Sequence, residues 1–467
     1  MKAAIRKPGV QTAALICLCF LLSSTGWLSW EYHLIPFVPA VTADICTMVI
    51  GYLLQAAGIG IVMMILRFRP GWVRPLFPAV LILHLLFMVP AVISPYTAGV
   101  LVFGFLMNLC CGLIAGLYLF YLTAAVDPAR RAATFGFGYG AAILLQWLMS
   151  LTWKTVYYSE KVLLICAVIT GAVLLLLPRV RPAGSAGKAE TEEENAGDTG
   201  GEERAAKQQD PPLTGSFLLL TCGLVFLFSL INSSGFAFPA ADVLQNVNVE
   251  LSRMVYAAGL IIAGIAADKN RKYGAICALA ALMMPFIILA LQKETVSTVI
   301  FWALSYFTFG FYAVYRVILF SDIASEKKLL YLSGFGLMIG RAGDAVGEAF
   351  CLLLSGHMKW LIGLTAALFM VAVFVFFRVY GKLYVPEIRQ EQSEKEKFMR
   401  FAVAHDLSSR ERDMLRLLLE GKTNVEIAAA LSISENTVKF HIRNLLQKTG
   451  CRNRNELIAS YTNNINA

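Results

Sequence analysis

The chain has 467 residues, 58% of them hydrophobic and 15% charged, with a mean hydropathy of +0.65. Soluble domains run at about 45–50% apolar and about 25% charged, so an ordinary soluble globule is excluded and a polytopic membrane protein is expected. The formal net charge of +9 is unevenly placed, and its placement carries more information than its sum.

The N-terminal "MKAAIRKPGVQTAALICLCFLL" puts basic residues before an apolar run, as a secretory signal does. The apolar character continues past Trp27 and further spans follow, so it reads as a first transmembrane helix. Apolar segments lie at 10–30, 42–66, 76–93, 98–125, 132–153 and 161–178. After a polar break they resume at 215–238, 252–267, 273–291, 296–321, 329–355 and 360–381. Lipid leaves open backbone groups unsatisfied, and the period-2 alternation of barrel strands is absent, so the spans are expected to be helices. The expected fold is therefore all-α: a twelve-helix membrane bundle in two six-helix halves, 1–180 and 214–381, with a small helical domain behind it.

Basic residues in short loops orient such a bundle. One side carries Lys2, Arg6, Lys7, Arg67, Arg69, Arg74, Arg130, Arg131, Arg179, Arg181, Lys269, Arg271, Lys272, Lys327, Lys328, Arg378 and Lys382. The other carries only Lys154, Lys161, Arg253, Lys293 and Lys359. Both termini are thus expected in the cytoplasm of a multi-pass membrane protein, as an even number of spans also requires. Residues 181–213, rich in Gly, Glu, Ala and Pro, hold no apolar residue larger than Ala until near their end and read as a disordered acidic tether.

The halves resemble each other. "TFGFGYG" at 134–140 and "LSGFGLM" at 332–338 align Gly136 with Gly334 and Gly138 with Gly336, and each follows a basic pair. A parallel duplication is the plain reading.

Ionisable residues within spans are costly and therefore informative. The first half has His84, with polar Asn108 and Gln146; the second has Arg316 and then Arg341, Asp344 and Glu348. The last three recur at i, i+3 and i+7, on one helix face. Two readings stand: an internal salt-bridge network, or a ligand or proton site that couples to the rest of the chain. The ten cysteines show no metal or redox spacing and read as packing thiols. No phosphate loop, nucleophile elbow or His-Glu-x-x-His occurs, so neither metal, cofactor nor enzymatic role is expected.

After the eighth segment comes "GIAADKNRKYG", 264–274. With the twelve segments in two sets of six and a central polar loop, this resembles the major facilitator superfamily. The resemblance implies a gate motif, here Asp268 with Arg271 and Lys272. Lys269 stands where the family has Arg, and the first-half loop "RFRPGWVRP" lacks the aspartate.

Residues 382–404 turn polar and read as a connector, about 36 Å long if the polar run to residue 407 is helical. From 405 to 467 the pattern is that of four short helices. Ser408 with Glu411 opens the first, Thr423 with Glu426 the second, Ser434 the third and Asn453 with Glu456 the fourth. In the third, Val438, Ile442, Leu445 and Leu446 share one face and Thr437, Lys439, Phe440 and Arg443 the other. A helix, a tight turn and a second helix with a basic outer face make a helix-turn-helix. Nine Lys/Arg against seven Asp/Glu in 405–467 place the charge on one helix rather than in a global field.

"RERDML", "GKTNVEIA", "LSISENTVKFH" and Arg454-Asn455-Glu456-Leu457 resemble the LuxR/NarL-type DNA-binding domain over nearly its whole length. The resemblance implies groove-facing positions at Lys439, Phe440 and Arg443. It implies phosphate contacts at Thr423, Asn424, Thr437 and Lys448, and a dimer seam at Leu457, Ile458 and Tyr461. Phe440 stands where the family often has Val. The expected partners are promoter DNA, the lipid bilayer, a small-molecule effector and a second copy on DNA. The function expected is a membrane-embedded one-component transcriptional regulator; a secondary transporter with an autoregulatory tail is the alternative.

Overall fold

The computed structural model describes residues 8–152, 160–176, 215–235, 249–291 and 295–463. The expected tether, 181–213, lies outside them. The chain divides into two compact units, Met1–Tyr380 and Gly381–Ala467. Among the described residues every regular element is helical.

The first unit opens with α1 (Pro8–Leu34) and α2 (Ala40–Phe68, with a π-helical stretch at Ile45–Ile50). Then follow α3 (Val73–Ile93), α4 (Thr97–Ala125), α5 (Pro128–Thr152) and α6 (Glu160–Leu176). Beyond the polar break come α7 (Gly215–Gly235), α8 (Val249–Lys269), α9 (Arg271–Ala281) and α10 (Met284–Leu291). The last are α11 (Thr295–Glu326), α12 (Phe335–Leu353) and α13 (Met358–Leu383).

Helix starts follow local chemistry. Pro128 at the first position of α5 sits behind Asp127, whose carboxylate accepts the Ala129 N–H at 2.8 Å. Asn270 separates α8 from α9 and caps the latter, its side chain accepting the Lys272 N–H at 2.9 Å.

Among the described residues, eight helical stretches are long and apolar enough to cross a membrane: Pro8–Leu34, Ala40–Phe68, Pro70–Ile93, Thr97–Ala125, Gly215–Gly235, Arg271–Ala290, Ile300–Glu326 and Met358–Leu383. The other expected segments, 132–153, 161–178, 252–267 and 329–355, fall on α5, α6, α8 and α12. These helices are shorter or more polar: α6 has 17 residues, α5 and α8 carry charged ends, and α12 carries Arg341, Asp344 and Glu348.

Packing is helix on helix. α8 lies along α5 and α11, α12 along α7 and α2, α4 against α2 and α3, and α1 against α5 and α6. Gly112 and Gly310 are two of the glycines that permit close approaches. A Cβ on Gly112 of α4 would collide with the Gln55 carbonyl of α2, and one on Gly310 of α11 with the backbone of Gly259 on α8. Trp30 is fully buried and donates its indole N–H to the Val100 carbonyl at 2.8 Å.

The second unit contains α14 (Val385–Ala404), α15 (Ser409–Leu419), α16 (Asn424–Leu431), α17 (Glu435–Thr449) and α18 (Arg454–Asn463). Its core joins Met414, Leu415 and Leu418 to Ile427, Val438, Leu445 and Leu457, with Phe401 and Ala402 from α14. Capping boxes open α15 at Ser408/Glu411 and α16 at Thr423/Glu426, and the Ser434 hydroxyl accepts the Thr437 N–H at the head of α17. The Asn453 side chain accepts the Glu456 N–H at 2.9 Å at the head of α18.

Left-handed residues terminate the helices. Ser432 (φ 54°) makes the tight turn between α16 and α17, and Gly450 (φ 70°) ends α17. At each, a backbone N–H returns to the helix just ended: Ile433 to the Ala428 carbonyl and Cys451 to that of Leu446, both at 3.0 Å.

Candidate nucleic-acid interface and buried ion clusters

α17 has two faces because its apolar residues recur at helical spacing. Val438 and Leu445 are fully buried, while Lys439, Phe440 and Arg443 are exposed. Phe440 is 51% exposed, an unusual state for a phenylalanine, and the Arg443 guanidinium lies over its ring, 5.9 Å from the centroid. Lys439 Nζ pairs with Glu435 Oε1 at 2.8 Å, one turn earlier and also exposed. A planar cation, an aromatic ring, an ammonium and a carboxylate thus stand on one face. Arg and Lys suit guanine edges, a carboxylate suits cytosine, and an apolar ring suits the thymine methyl.

The residues around this face have distinct roles. Thr423 and Asn424 sit at the N-terminus of α16, where free backbone N–H groups favour an anion. Thr437 shares a 2.8 Å hydrogen bond between its hydroxyl and that of Ser434. Lys448 is engaged inside the domain. Its ammonium donates to Glu411 Oε2 at 2.8 Å and to the Asp406 carbonyl at 2.7 Å, tying the end of α17 to the start of α15. Burial opposes ionisation of Glu411, but the Lys448 ammonium and the Ser408 N–H and hydroxyl outweigh it and hold the carboxyl below its usual range. The exposed Glu426 carboxyl is lowered by the Thr423 N–H and hydroxyl of its capping box.

Among the expected seam residues, Leu457 is fully buried in the core of its own domain. Ile458 is half-buried. Tyr461 packs on the connector helix, its ring 5.3 Å from Phe401 and 6.5 Å from Phe398. The apolar stripe of a short helix serves its own domain first, and sequence spacing does not separate that use from a dimer contact.

In the first unit, Arg316, Arg341, Asp344 and Glu348 all line one cavity of about 470 Å³. Arg316 Nη1 lies 3.1 Å and Arg341 Nη1 3.5 Å from the same Asp344 oxygen, Oδ2. The Tyr312 hydroxyl joins Arg316 at 3.1 Å and the Ser229 hydroxyl. The Ser233 hydroxyl donates to Glu348 Oε1 at 2.7 Å. His84 is fully buried, its Nδ1 3.9 Å from the Cys111 thiol, and Asn108 accepts from the Gln55 amide at 2.9 Å.

A second ion cluster surrounds Asp268. Its carboxylate accepts the Ala132 and Ala133 N–H groups of α5 at 2.9 and 2.7 Å and pairs with Arg271 at 2.7 Å. Arg271 also binds Asp322 at 2.7 Å, and Asp322 binds Arg131 at 2.8 Å. Arg131, only 1% exposed, also donates to the carbonyls of Thr123 and Val126. The cluster joins α5 to α8, α9 and α11.

A family model described as "Bacterial regulatory proteins, luxR family" matches residues 405–461. The spore germination protein GerE of Bacillus subtilis is 46% identical over 52 residues, which are 70% of that protein and 11% of this chain. The chain belongs to the luxR family of bacterial regulatory proteins.

The "Probable transcriptional regulatory protein SgaR" of Hyphomicrobium methylovorum is 49% identical over 53 residues, 25% of its length and 11% of this chain. The nitrate/nitrite response regulator protein NarP of Escherichia coli is 42% identical over 78 residues, 35% of its length and 16% of this chain. The luxR-family likeness therefore spans about a quarter to a third of these two proteins and falls in the helix-turn-helix part of this one.

Three residues that carry ion pairs at these sites had no site role in the sequence reading: Glu435, Asp322 and Arg131. Glu435, which holds Lys439, was legible as an i, i+4 pair. Asp322 and Arg131 were not: one is a lone aspartate near a helix end, the other one half of a basic pair, and only packing joins them.

Proposed function

We propose that this luxR-family chain is a membrane-embedded one-component transcriptional regulator. A small molecule or membrane signal acts on the helical bundle, and the C-terminal helix-turn-helix binds promoter DNA. The observation that carries the reading is the exposed Lys439, Phe440 and Arg443 on α17, in a domain whose first helix, α14, is separated from α13 by Tyr384 alone. Lys439, Phe440 and Arg443 would meet base edges, and Thr423, Asn424 and Thr437 phosphates. Lys448 would position α17 from within.

Such domains read paired half-sites, so the regulator would act as a homodimer. Ile458 and the exposed side of α18 would form the seam, with Leu457 supporting it from the core. Tyr461 provides the coupling, because its ring rests on Phe398 and Phe401 of α14. A rearrangement of the bundle that shifts α14 would reach the seam through that contact.

In this reading the bundle has twelve spans in two six-helix halves, resembling the major facilitator superfamily, with both termini cytoplasmic. Three relationships support the duplication. The packing of α2 with α4 matches that of α8 with α11, and the packing of α5 with α8 matches that of α12 with α2. Gly112 and Gly310, the same sequence distance apart as Gly136 and Gly334, make equivalent close approaches.

The test uses the isolated unit 381–467, which has its own core, and the full chain. Promoter fragments recovered from cells should be retained by wild type and lost by Arg443→Ala. Identical, effector-independent promoter output from the isolated unit and the full chain would reject the coupling.

The Asp268 cluster favours a second reading, a secondary transporter with an autoregulatory tail, since it ties the two halves of the bundle as a gate would. Substrate uptake into proteoliposomes separates the two.

A further inference from the structure

We propose that the cavity lined by α12 takes a small bipolar molecule, basic at one end and acidic at the other, on an aromatic body. This rests on the sensing reading above and gives the effector a chemical class.

The cavity, about 470 Å³, falls within the roughly 300–1,000 Å³ of small-molecule sites. Its walls include Phe20, Trp27, Tyr118, Tyr139, Tyr256 and Phe309, which offer ring faces to an aromatic or apolar body.

The charges are divided along it. Arg316 and Arg341 both rest on one oxygen of Asp344, so two guanidiniums share one carboxylate and that end keeps a net positive charge. Arg316 is 5% exposed, and its buried Nε has no hydrogen-bond partner among the described residues. Arg341 lies over the Tyr52 ring at 4.7 Å, which holds its guanidinium at the cavity wall.

One turn along α12, Glu348 accepts from the neutral Ser233 hydroxyl at 2.7 Å and has no Lys or Arg within ion-pair distance among the described residues. The rise from residue 344 to 348 is about 6 Å. The cavity is therefore positive at Arg316 and Arg341 and negative at Glu348, about one helical turn apart.

Uncompensated charges in a desolvated wall are costly. A simple anion would answer the guanidiniums and leave Glu348 alone. A simple amine would do the reverse. A molecule with an acid group at one end and an ammonium at the other answers both, and its ring fills the aromatic walls between.

The test uses the full chain in lipid nanodiscs and three probes on one ring: benzoate, benzylamine and 4-(aminomethyl)benzoate. The bipolar probe is expected to bind at least about tenfold more tightly than either one-charge probe. Glu348→Gln should reduce it to the level of benzoate, and Arg341→Gln to that of benzylamine. Benzoate or benzylamine binding as tightly as the bipolar probe overturns the proposal, as does the absence of binding to protein that is monodisperse and helical. If a substitution prevents folding, the three-probe comparison on wild type decides by itself.

Promoter binding by the same preparation separates the two levels. Lost probe preference with intact promoter binding rejects this inference alone. Kept preference with promoter output indifferent to the probe rejects the sensing reading alone.

Discussion

Thr123 and Ser321 share a hydrogen bond of 2.7 Å between their hydroxyls, and they stand 198 residues apart. That is the offset at which "TFGFGYG" aligns with "LSGFGLM", so two residues at equivalent places in the proposed halves meet each other. Under the duplication proposed above, equivalent positions would touch where a pseudo-two-fold axis passes between them, here between α4 and α11. Both residues are buried.

The pair is therefore a direct probe of how α4 and α11 are held together. Thr123→Val and Ser321→Ala should each destabilise the full chain in detergent modestly, and together by less than the sum. Hydrogen bonds between membrane helices average about 0.6 kcal/mol, which sets the scale of the coupling in a double-mutant cycle. Strict additivity would remove Thr123–Ser321 as a contact between the halves.

Removing Asp322 should do more damage than removing Asp268. Asp322→Ala leaves the buried Arg131 without its carboxylate, and an orphaned buried charge costs about 3–5 kcal/mol. Asp268→Asn keeps an acceptor for one of the Ala132 and Ala133 N–H groups and leaves the Arg131–Asp322 pair intact. Thermal unfolding of the two variants in the same detergent should rank them in that order, and the reverse order would mean that Arg131 finds other partners.

On DNA, Lys439→Ala and Arg443→Ala should separate two kinds of contact. Loss of an arginine on a base edge costs about 1–3 kcal/mol and relaxes specificity at one position. If Lys439 meets a phosphate instead of a base, its removal weakens binding evenly across sequences and lowers the salt slope by about 1. Glu435→Gln removes the carboxylate that pairs with Lys439 and should tighten non-specific binding. Fluorescence anisotropy of the isolated 381–467 unit against salt reads all three.

Acid should loosen the helix-turn-helix unit through Glu411. Its folded carboxyl titrates below the usual range, so its contribution is present above the unfolded value and is lost as pH falls through the lowered folded one. Lys448→Met should weaken the unit by about 1–3 kcal/mol at neutral pH, because a buried acceptor loses its charged donor. It should also flatten the stability curve between the two titration points. Urea melts of 381–467 at several acidic pH values measure both, and an unchanged curve in Lys448→Met would put the acid sensitivity elsewhere.

The connector is expected to transmit through helical continuity. Glu396→Pro places a proline inside α14, which removes a backbone hydrogen bond and kinks or breaks a helix at a cost of about 3 kcal/mol. Promoter affinity of the DNA-binding part should survive, since Glu396 is exposed and outside its core. Reporter output from the full chain should become indifferent to the signal, and retained regulation would show that α14 need not be continuous.

The helix-turn-helix was legible almost residue by residue. Its capping boxes at Ser408/Glu411 and Thr423/Glu426, the Ser434 cap and the Gly450 stop all act over three or four residues, and the side chain that makes each bond is named in the local sequence. The two faces of α17 follow from the same short period. The apolar bundle was legible as helices for a related reason, since backbone groups in an apolar run must bond within their own segment.

Partnership between distant segments needed the tertiary structure. The family resemblance implied a phosphate contact at Lys448; the fold in addition brings Glu411 and Asp406 to it across about forty residues. The resemblance implied a seam at Leu457, Ile458 and Tyr461; that Leu457 also packs in the core of its own domain came from the fold. Arg341, Asp344 and Glu348 shared a face by spacing alone, but that Asp344 is taken by two guanidiniums while Glu348 is left with a serine was decided by where α7 and α11 pack against α12. Short-range hydrogen bonds are written in adjacent residues, whereas the pairing of charges depends on which helices the apolar surfaces bring together.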